Sequence, residues 1–421
     1  MPAAARKKLL IGIQTFADII EGALPGKKIM HNEANLTDTR PTTWKFWAII
    51  VSVFALFFLR ANPKLLIEGR SYVGNWSYTH YLFTYDDGFI KRGLVGDILN
   101  RLFGHVSYEL VSTSAYLVFF TLAAMMIRLS TQPWHASGNR QGALLFAIIA
   151  VTSPATLQHF AQDVGRFDAF LYLIALPALY GLSRANGDQK TISFFIVTAL
   201  LTLALLIHEA AFFIVAPMVI AYWIFIDSSR RALAFQAAAI VVMFIATYLI
   251  STRGNYQASS LDAHLESLRA IYGSRVVESS LSVLHNTTLE ENIGRTLRTA
   301  FDLSRVLHHV AMLVFMSPFF YMVYKLSSRL RGSCTPKALL LLIASLSPLA
   351  LYPLGHDHFR WWSLAITNII LSTALILIHN RDFSDSLFAY LEDNPRLVKM
   401  IVITAFISGP LGVTGSFDIL K

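Results

Sequence analysis

Cysteine is almost absent from this chain: Cys334 stands alone in 421 residues. That excludes an intramolecular disulfide and any zinc cluster built from several cysteines. Charge is scarce as well. Asp, Glu, Lys and Arg make up 14% of the residues, where a soluble domain of this size carries about a quarter. No internal repeat and no low-complexity tract is visible. A cleavable signal peptide is not apparent: Arg6, Lys7 and Lys8 precede Leu9, Leu10 and Ile11, but Gln14, Asp18 and Glu21 interrupt the apolar run.

Hydrophobic residues fill that room, at 55% of the chain with a mean hydropathy of +0.52. Apolar runs long enough to cross a bilayer fall near 44–61, 108–128, 141–157, 168–184, 190–207, 210–226, 232–251, 306–326, 337–354, 361–379 and 397–415. The expectation is therefore an all-α, polytopic transmembrane bundle of about eleven spans. Residues 44–421 form one transmembrane domain, with long external loops at 62–107 and 252–305. Surface helices are expected in both loops, at Asp262–Ile271 and Leu289–Arg305 in the second, from apolar residues at three- and four-residue spacing. Residues 1–43 are expected to be a cytoplasmic segment, amphipathic where Leu9, Ile13, Phe16, Ile20 and Leu24 recur at helical spacing. Trp44, Trp47, Trp223, Trp361 and Trp362 lie near span ends, as interfacial anchors do.

The net charge of +9 is not a nucleic-acid signal. With the N-terminus in the cytoplasm, the internal loops hold Arg128 and Arg140, Arg184 and Lys190, Arg230 and Arg231, Lys325 to Lys337, and Arg381 and Arg396. The opposite short loops contain little beyond Arg166 and Arg360. The positive-inside rule accounts for this pattern and sets the expected orientation, in a membrane taken to be the bacterial inner membrane.

The unusual polar residues then share the external face. Tyr85-Asp86-Asp87-Gly88-Phe89-Ile90-Lys91-Arg92-Gly93 sets two carboxylates beside two cations. Such a segment suits deprotonation of a hydroxyl, or the gripping of a phosphate. Asp97, further on, reads as structural. His159, Asp163, Arg166 and Asp168 lie between the third and fourth spans, where an internal ion pair and an anion contact are equally open readings. His208 and Glu209 form the turn between the fifth and sixth. They start like a zinc-protease motif, but Phe212 occupies the place of its second histidine, so that motif is rejected. His356, Asp357, His358 and Arg360 lie between the ninth and tenth spans. A divalent cation there is one reading and direct substrate contact the preferred one, so the cofactor is left unknown. Glu266, Glu278, Glu290 and Glu291 read as solvated helix faces without chemistry.

At these residues the chain resembles the polytopic glycosyltransferases of the GT-C architecture. The likeness lies in a first external loop with an acidic residue, basic residues and a surface helix after it, and in long external segments with basic or His-containing later loops. The resemblance implies that Asp86 or Asp87 serves as general base and that Lys91, Arg92, Arg166 and Arg360 hold the phosphate of a polyprenyl-phosphate sugar donor. It implies a glycan, lipid or protein acceptor, and inversion at the anomeric centre. Three other readings stand beside it. A polysaccharide polymerase or ligase would use a diphosphate-linked glycan. A transporter or flippase would move an anionic lipid or solute, though it calls for ionisable groups along a path through the bilayer. A scaffold subunit of an envelope assembly would make the cluster structural.

Overall fold

A computed structural model describes residues 43–411 apart from 63–72, 87, 137, 185–188, 286–292, 295, 299–301, 334–335 and 356. The expected N-terminal amphipathic segment, Asp87, His356 and part of the helix expected at 289–305 lie outside the described residues. Among those described the chain is all-helical, without strands.

Seven helical segments are long and apolar enough to cross a membrane: Thr43–Ala61, Tyr108–Trp134, Arg140–Gln162, Arg230–Arg253, Arg305–Ser328, Pro336–Leu354 and His358–His379. The other four expected spans coincide with shorter pieces. Asp168–Arg184 has 17 residues and contains Pro177. Thr191–Ile207 is a shorter apolar helix. The run at 210–226 breaks at Val215, ahead of Pro217, into Ala211–Ile214 and Ala216–Ile226. Pro395–Ser408 ends at Gly409 after 14 residues. Backbone breaks that hydropathy cannot register thus shorten what the apolar runs suggest. Helix starts follow side-chain chemistry: Asn139, Ser229, Ser260 and Asn380 each accept a backbone N–H three residues on.

Two segments form the centre. The most apolar stretch of Arg140–Gln162 is wholly buried and that of His358–His379 is 89% buried, whereas the five other spans bury 22–33%. Small residues allow the central approach. A Cβ at Gly142 would stand 2.3 to 2.6 Å from the Phe388 backbone and Cβ, so the helices Arg140–Thr152 and Arg381–Asp393 meet main chain to main chain. Buried polar bonds fix the rest. Tyr172 Oη donates to Asn368 Oδ1 at 2.8 Å, Asn368 Nδ2 donates to Ile214 O at 2.7 Å, and Ser363 and Thr367 both donate to Ala155 O at 2.7 Å. The break after Ile214 is what leaves its carbonyl for Asn368. These bonds tie the helix Asp168–Arg184 and the turn after His208 to the helix that starts at His358.

The loops at 62–107 and 252–305 hold helices, as expected: Gly93–Phe103 and Leu261–Tyr272 lie at the surface, whereas Asn75–His80 is largely buried. Gly93–Phe103 presses so closely on the preceding segment that a Cβ at Gly96 would lie 2.2 Å from Phe83 O. It leaves Leu102 and Phe103 exposed, which suits a membrane interface. The two loops are stitched together: Lys91 N donates to Gly254 O at 2.7 Å, Val277 N to Thr79 Oγ1 at 3.1 Å, and Ser280 Oγ to Trp76 O at 2.8 Å.

Candidate functional site

Four chain segments, far apart in sequence, place their charged side chains in one ionic chain at one end of the bundle. Arg92 grips Glu209 with both arms of its guanidinium, Nε reaching Oε2 at 3.0 Å and Nη2 reaching Oε1. Glu209 Oε2 stands 3.3 Å from His208 Nδ1. On its other side His208 Nε2 faces Arg360 Nη2 at 3.2 Å. A guanidinium can only donate, which asks Nε2 to accept, while Nδ1 faces both Glu209 and the Ala210 N–H, 3.2 Å away. Arg360 Nε and Nη2 donate to Asp168 at 2.5 and 2.6 Å, and Nη1 donates to Asp357 Oδ2 at 3.0 Å. Asp357 lies 3.6 Å from Arg166 Nη1, Arg166 Nε lies 4.0 Å from Asp163, and Asp163 lies 3.7 Å from His159 Nδ1.

Local structure explains the aim of each group. Arg92 is the one non-glycine with positive φ among the described residues, at 63°, just before the helix Gly93–Phe103. A left-handed conformation at such a residue costs about 1–2 kcal/mol. Flanking bonds hold it there: Lys91 N binds Gly254 O, and Lys91 Nζ donates to Asn255 Oδ1 at 3.1 Å. Asp168 and Arg360 each lie in the first turn of a helix, and the deeper Tyr172–Asn368 bond joins those two helices.

The electrostatics follow the geometry. Burial opposes ionisation of Glu209, but Arg92 and His208 outweigh it and hold the carboxyl well below its usual range. Burial, reinforced by Arg92, pushes His208 below the ordinary imidazole value, with Glu209 pulling back. Burial also lowers the Lys91 ammonium; Glu209 opposes the shift and Arg92 adds to it.

Of the residues singled out in the sequence, Arg92, Asp163, Arg166, Asp168, His208, Glu209, Asp357, Arg360 and His159 are brought together. Lys91 lies at the edge, turned to Asn255. His358 turns into an aromatic group instead, stacked on Tyr352 at 4.4 Å with His309 and Trp361 beside it. Trp361 is buried in that group rather than anchored at an interface. Asp86 is exposed and engaged locally: Thr84 Oγ1 donates to it at 2.9 Å and Asn100 Nδ2 at 3.4 Å. Asp97 is structural, accepting from Tyr85 N and Arg101 Nε. Glu266 and Glu278 are exposed, as expected of solvated faces. Among the described residues no group of three or more His, Cys, Asp or Glu side chains could hold a metal ion.

No protein-family model matches the chain, and no curated protein matches it. The assignment of chemistry therefore rests on the site itself.

Sequence reasoning missed Trp76 and His80. They face each other one helical turn apart, rings 4.0 Å between centroids, and Arg166 lies 4.4 Å over the Trp76 ring. His80 is buried with no hydrogen-bond partner at Nε2, and both nitrogens of His159 are in the same state. Buried polar atoms of this kind are rare in finished cores and mark places where a polar group from elsewhere can be received. The i, i+4 spacing of an aromatic and an imidazole was the available signal.

Proposed function

We propose that this protein is a membrane-embedded glycosyltransferase that moves a sugar from a polyprenyl-phosphate donor to an acceptor hydroxyl on the non-cytoplasmic face, in cell-surface glycan synthesis. The single observation that carries the reading is the convergence of Arg92, Arg166 and Arg360, from three segments far apart in sequence, into one ionic chain at one end of an all-helical bundle. In this reading the shorter apolar helices complete about eleven crossings, the N-terminus is cytoplasmic and the site faces the periplasm of a bacterial inner membrane.

The chemistry suits such a place. A lipid-linked donor buries its tail in the bilayer and presents its phosphate at the surface. The acceptor hydroxyl loses its proton to Asp86 or Asp87 as its oxygen attacks the anomeric carbon. The bond from that carbon to the phosphate oxygen breaks, and the lipid phosphate leaves with the electron pair, stabilised by guanidinium charge. Attack from the far side inverts the anomeric centre. An unperturbed Asp is a weak base, so its position supplies most of its effect.

The test uses the full chain in nanodiscs with polyprenyl-phosphate and polyprenyl-diphosphate sugars, followed by mass spectrometry. Release of lipid monophosphate that disappears in the Asp86→Asn, Asp87→Asn double variant is the expected result. Release of diphosphate would replace this reading with a polymerase or ligase. Absence of turnover together with facilitated passage of an anionic lipid would replace it with a transporter.

A further inference from the structure

The ionic chain is self-neutralised. Arg92, Arg166 and Arg360, with Lys91 beside them, meet Asp163, Asp168, Glu209 and Asp357. Both arms of the Arg92 fork are taken by Glu209, so an incoming anion can take that bidentate contact only if the carboxylate yields its place. The four carboxylates differ in how free they are to yield. Asp163 and Asp168 are 8% and 1% exposed. Asp357 is more open, at 33%, but it bridges Arg360 and Arg166, so its departure would strand two guanidiniums. Glu209 is 25% exposed and sits on a short turn between helices. Its departure would uncover the fork of Arg92 alone.

We propose that Glu209 is a place-holder on Arg92: a phosphate-bearing substrate displaces the carboxylate, takes the bidentate contact and leaves Glu209 beside His208, facing the site. The proposal rests on the reading of the substrate as a lipid-linked phosphate.

Arg92 is prepared for such an exchange. Its left-handed backbone is fixed by Lys91 bonded to Gly254 and Asn255, so the guanidinium stays aimed when Glu209 moves. The two N–H arms that clasp a carboxylate also match two oxygens of a phosphate. Glu209 keeps a second neighbour in His208, whose Nδ1 lies 3.3 Å from Oε2. The exchange breaks no covalent bond and requires no net proton transfer. It trades one anion for another on the same cation.

The experiment measures equilibrium binding of a ten-carbon isoprenyl monophosphate to the full chain in nanodiscs. An ordinary contact residue would lose affinity on substitution; a place-holder gains it. Glu209→Gln is expected to bind the probe about tenfold more tightly than wild type. Glu209→Asp, too short to keep the clasp, is expected to shift the same way by less. Arg92→Gln is expected to abolish the gain in the Glu209→Gln background. Equal or weaker binding by both Glu209 variants, with cooperative unfolding in each and a wild type that binds, would overturn the place-holder role and leave the functional reading intact. Failure of wild type and both variants to bind either the monophosphate or the corresponding diphosphate would overturn the functional reading, and the place-holder with it.

Discussion

Arg360 with Asp168, and Arg92 with Glu209, are two bidentate pairs separated by one imidazole. The first lies under the surface, with side chains 8% and 1% exposed; the second keeps 10% and 25%. Arg360 has three acceptors around it, in Asp168, Asp357 and His208, and both its helices are pinned deeper by Tyr172 and Asn368. Arg92 has the carboxylate of a short turn, on a backbone held by a loop. Similar contacts therefore differ in what they are good for. A deeply placed pair between pinned helices defines the structure, because neither partner can leave without an unpaired charge inside. A pair at the rim, between loops, can exchange partners at small cost.

The largest effect that would break this comparison is loss of the buried pair. Asp168→Ala leaves Arg360 beneath the surface with part of its fork unmatched, and should destabilise the protein by about 3–5 kcal/mol. Glu209→Ala should cost only about 1 kcal/mol, since Arg92 can regain water. Thermal unfolding of both variants in nanodiscs measures the difference, and equal losses would erase the distinction between lock and clasp. A finer test separates the backbone of Arg92 from its charge. Arg92→Gly and Arg92→Ala both remove the clasp, but glycine accepts a φ of 63° without strain. The glycine variant should be the more stable by about 1 kcal/mol, read from the same melting curves. If alanine were the better tolerated, the left-handed conformation would not be what the rest of the fold imposes.

Much of this arrangement is legible in the amino-acid order alone. Apolar runs announce a membrane bundle, and many of the odd polar groups meet, though Asp86, Lys91 and His358 turn elsewhere. Hydropathy cannot reveal where the backbone breaks: Pro217 and Gly409 shorten runs that read as full spans. Nor can it pair the charges. Asp163, Arg166 and Asp168 look like one local group, yet Asp168 belongs to Arg360, 192 residues away, and Arg166 is shared between Asp163 and Asp357. Ion pairing follows helix packing, and packing is set by Gly142, Tyr172 and Asn368, residues with no charge to attract notice. His80 escapes notice for the same reason. A lone histidine in an aromatic stretch reads as core, and its missing partner shows only in three dimensions.

The smallest expected effect concerns acidity, and it distinguishes the histidines from the clasp. Burial lowers His80 well below the usual imidazole value of about 6.5, helped by Arg92, His208 and Arg166 and opposed by Glu209. The unfolded chain therefore binds a proton that the folded chain refuses. Stability should be full above the unfolded value and decline as pH falls below it, levelling off only beneath the folded value. Glu209 behaves oppositely. Its folded pKa is depressed, so its contribution is complete above the ordinary carboxylate range and is lost only in stronger acid. Between about pH 5 and 7.5 the clasp should thus contribute a constant amount while the histidines supply the slope. His80→Phe, a ring that fits among Trp76, Phe83 and Phe167, should flatten the melting-versus-pH curve and leave its neutral-pH value nearly unchanged. Glu209→Gln should displace the curve without flattening it, because Glu209 opposes the lowering of His80 and His208 and its loss lowers them further. A flattened curve in Glu209→Gln would mean that the clasp itself titrates in this range, and that Arg92 and His208 hold the carboxylate less firmly than their distances imply.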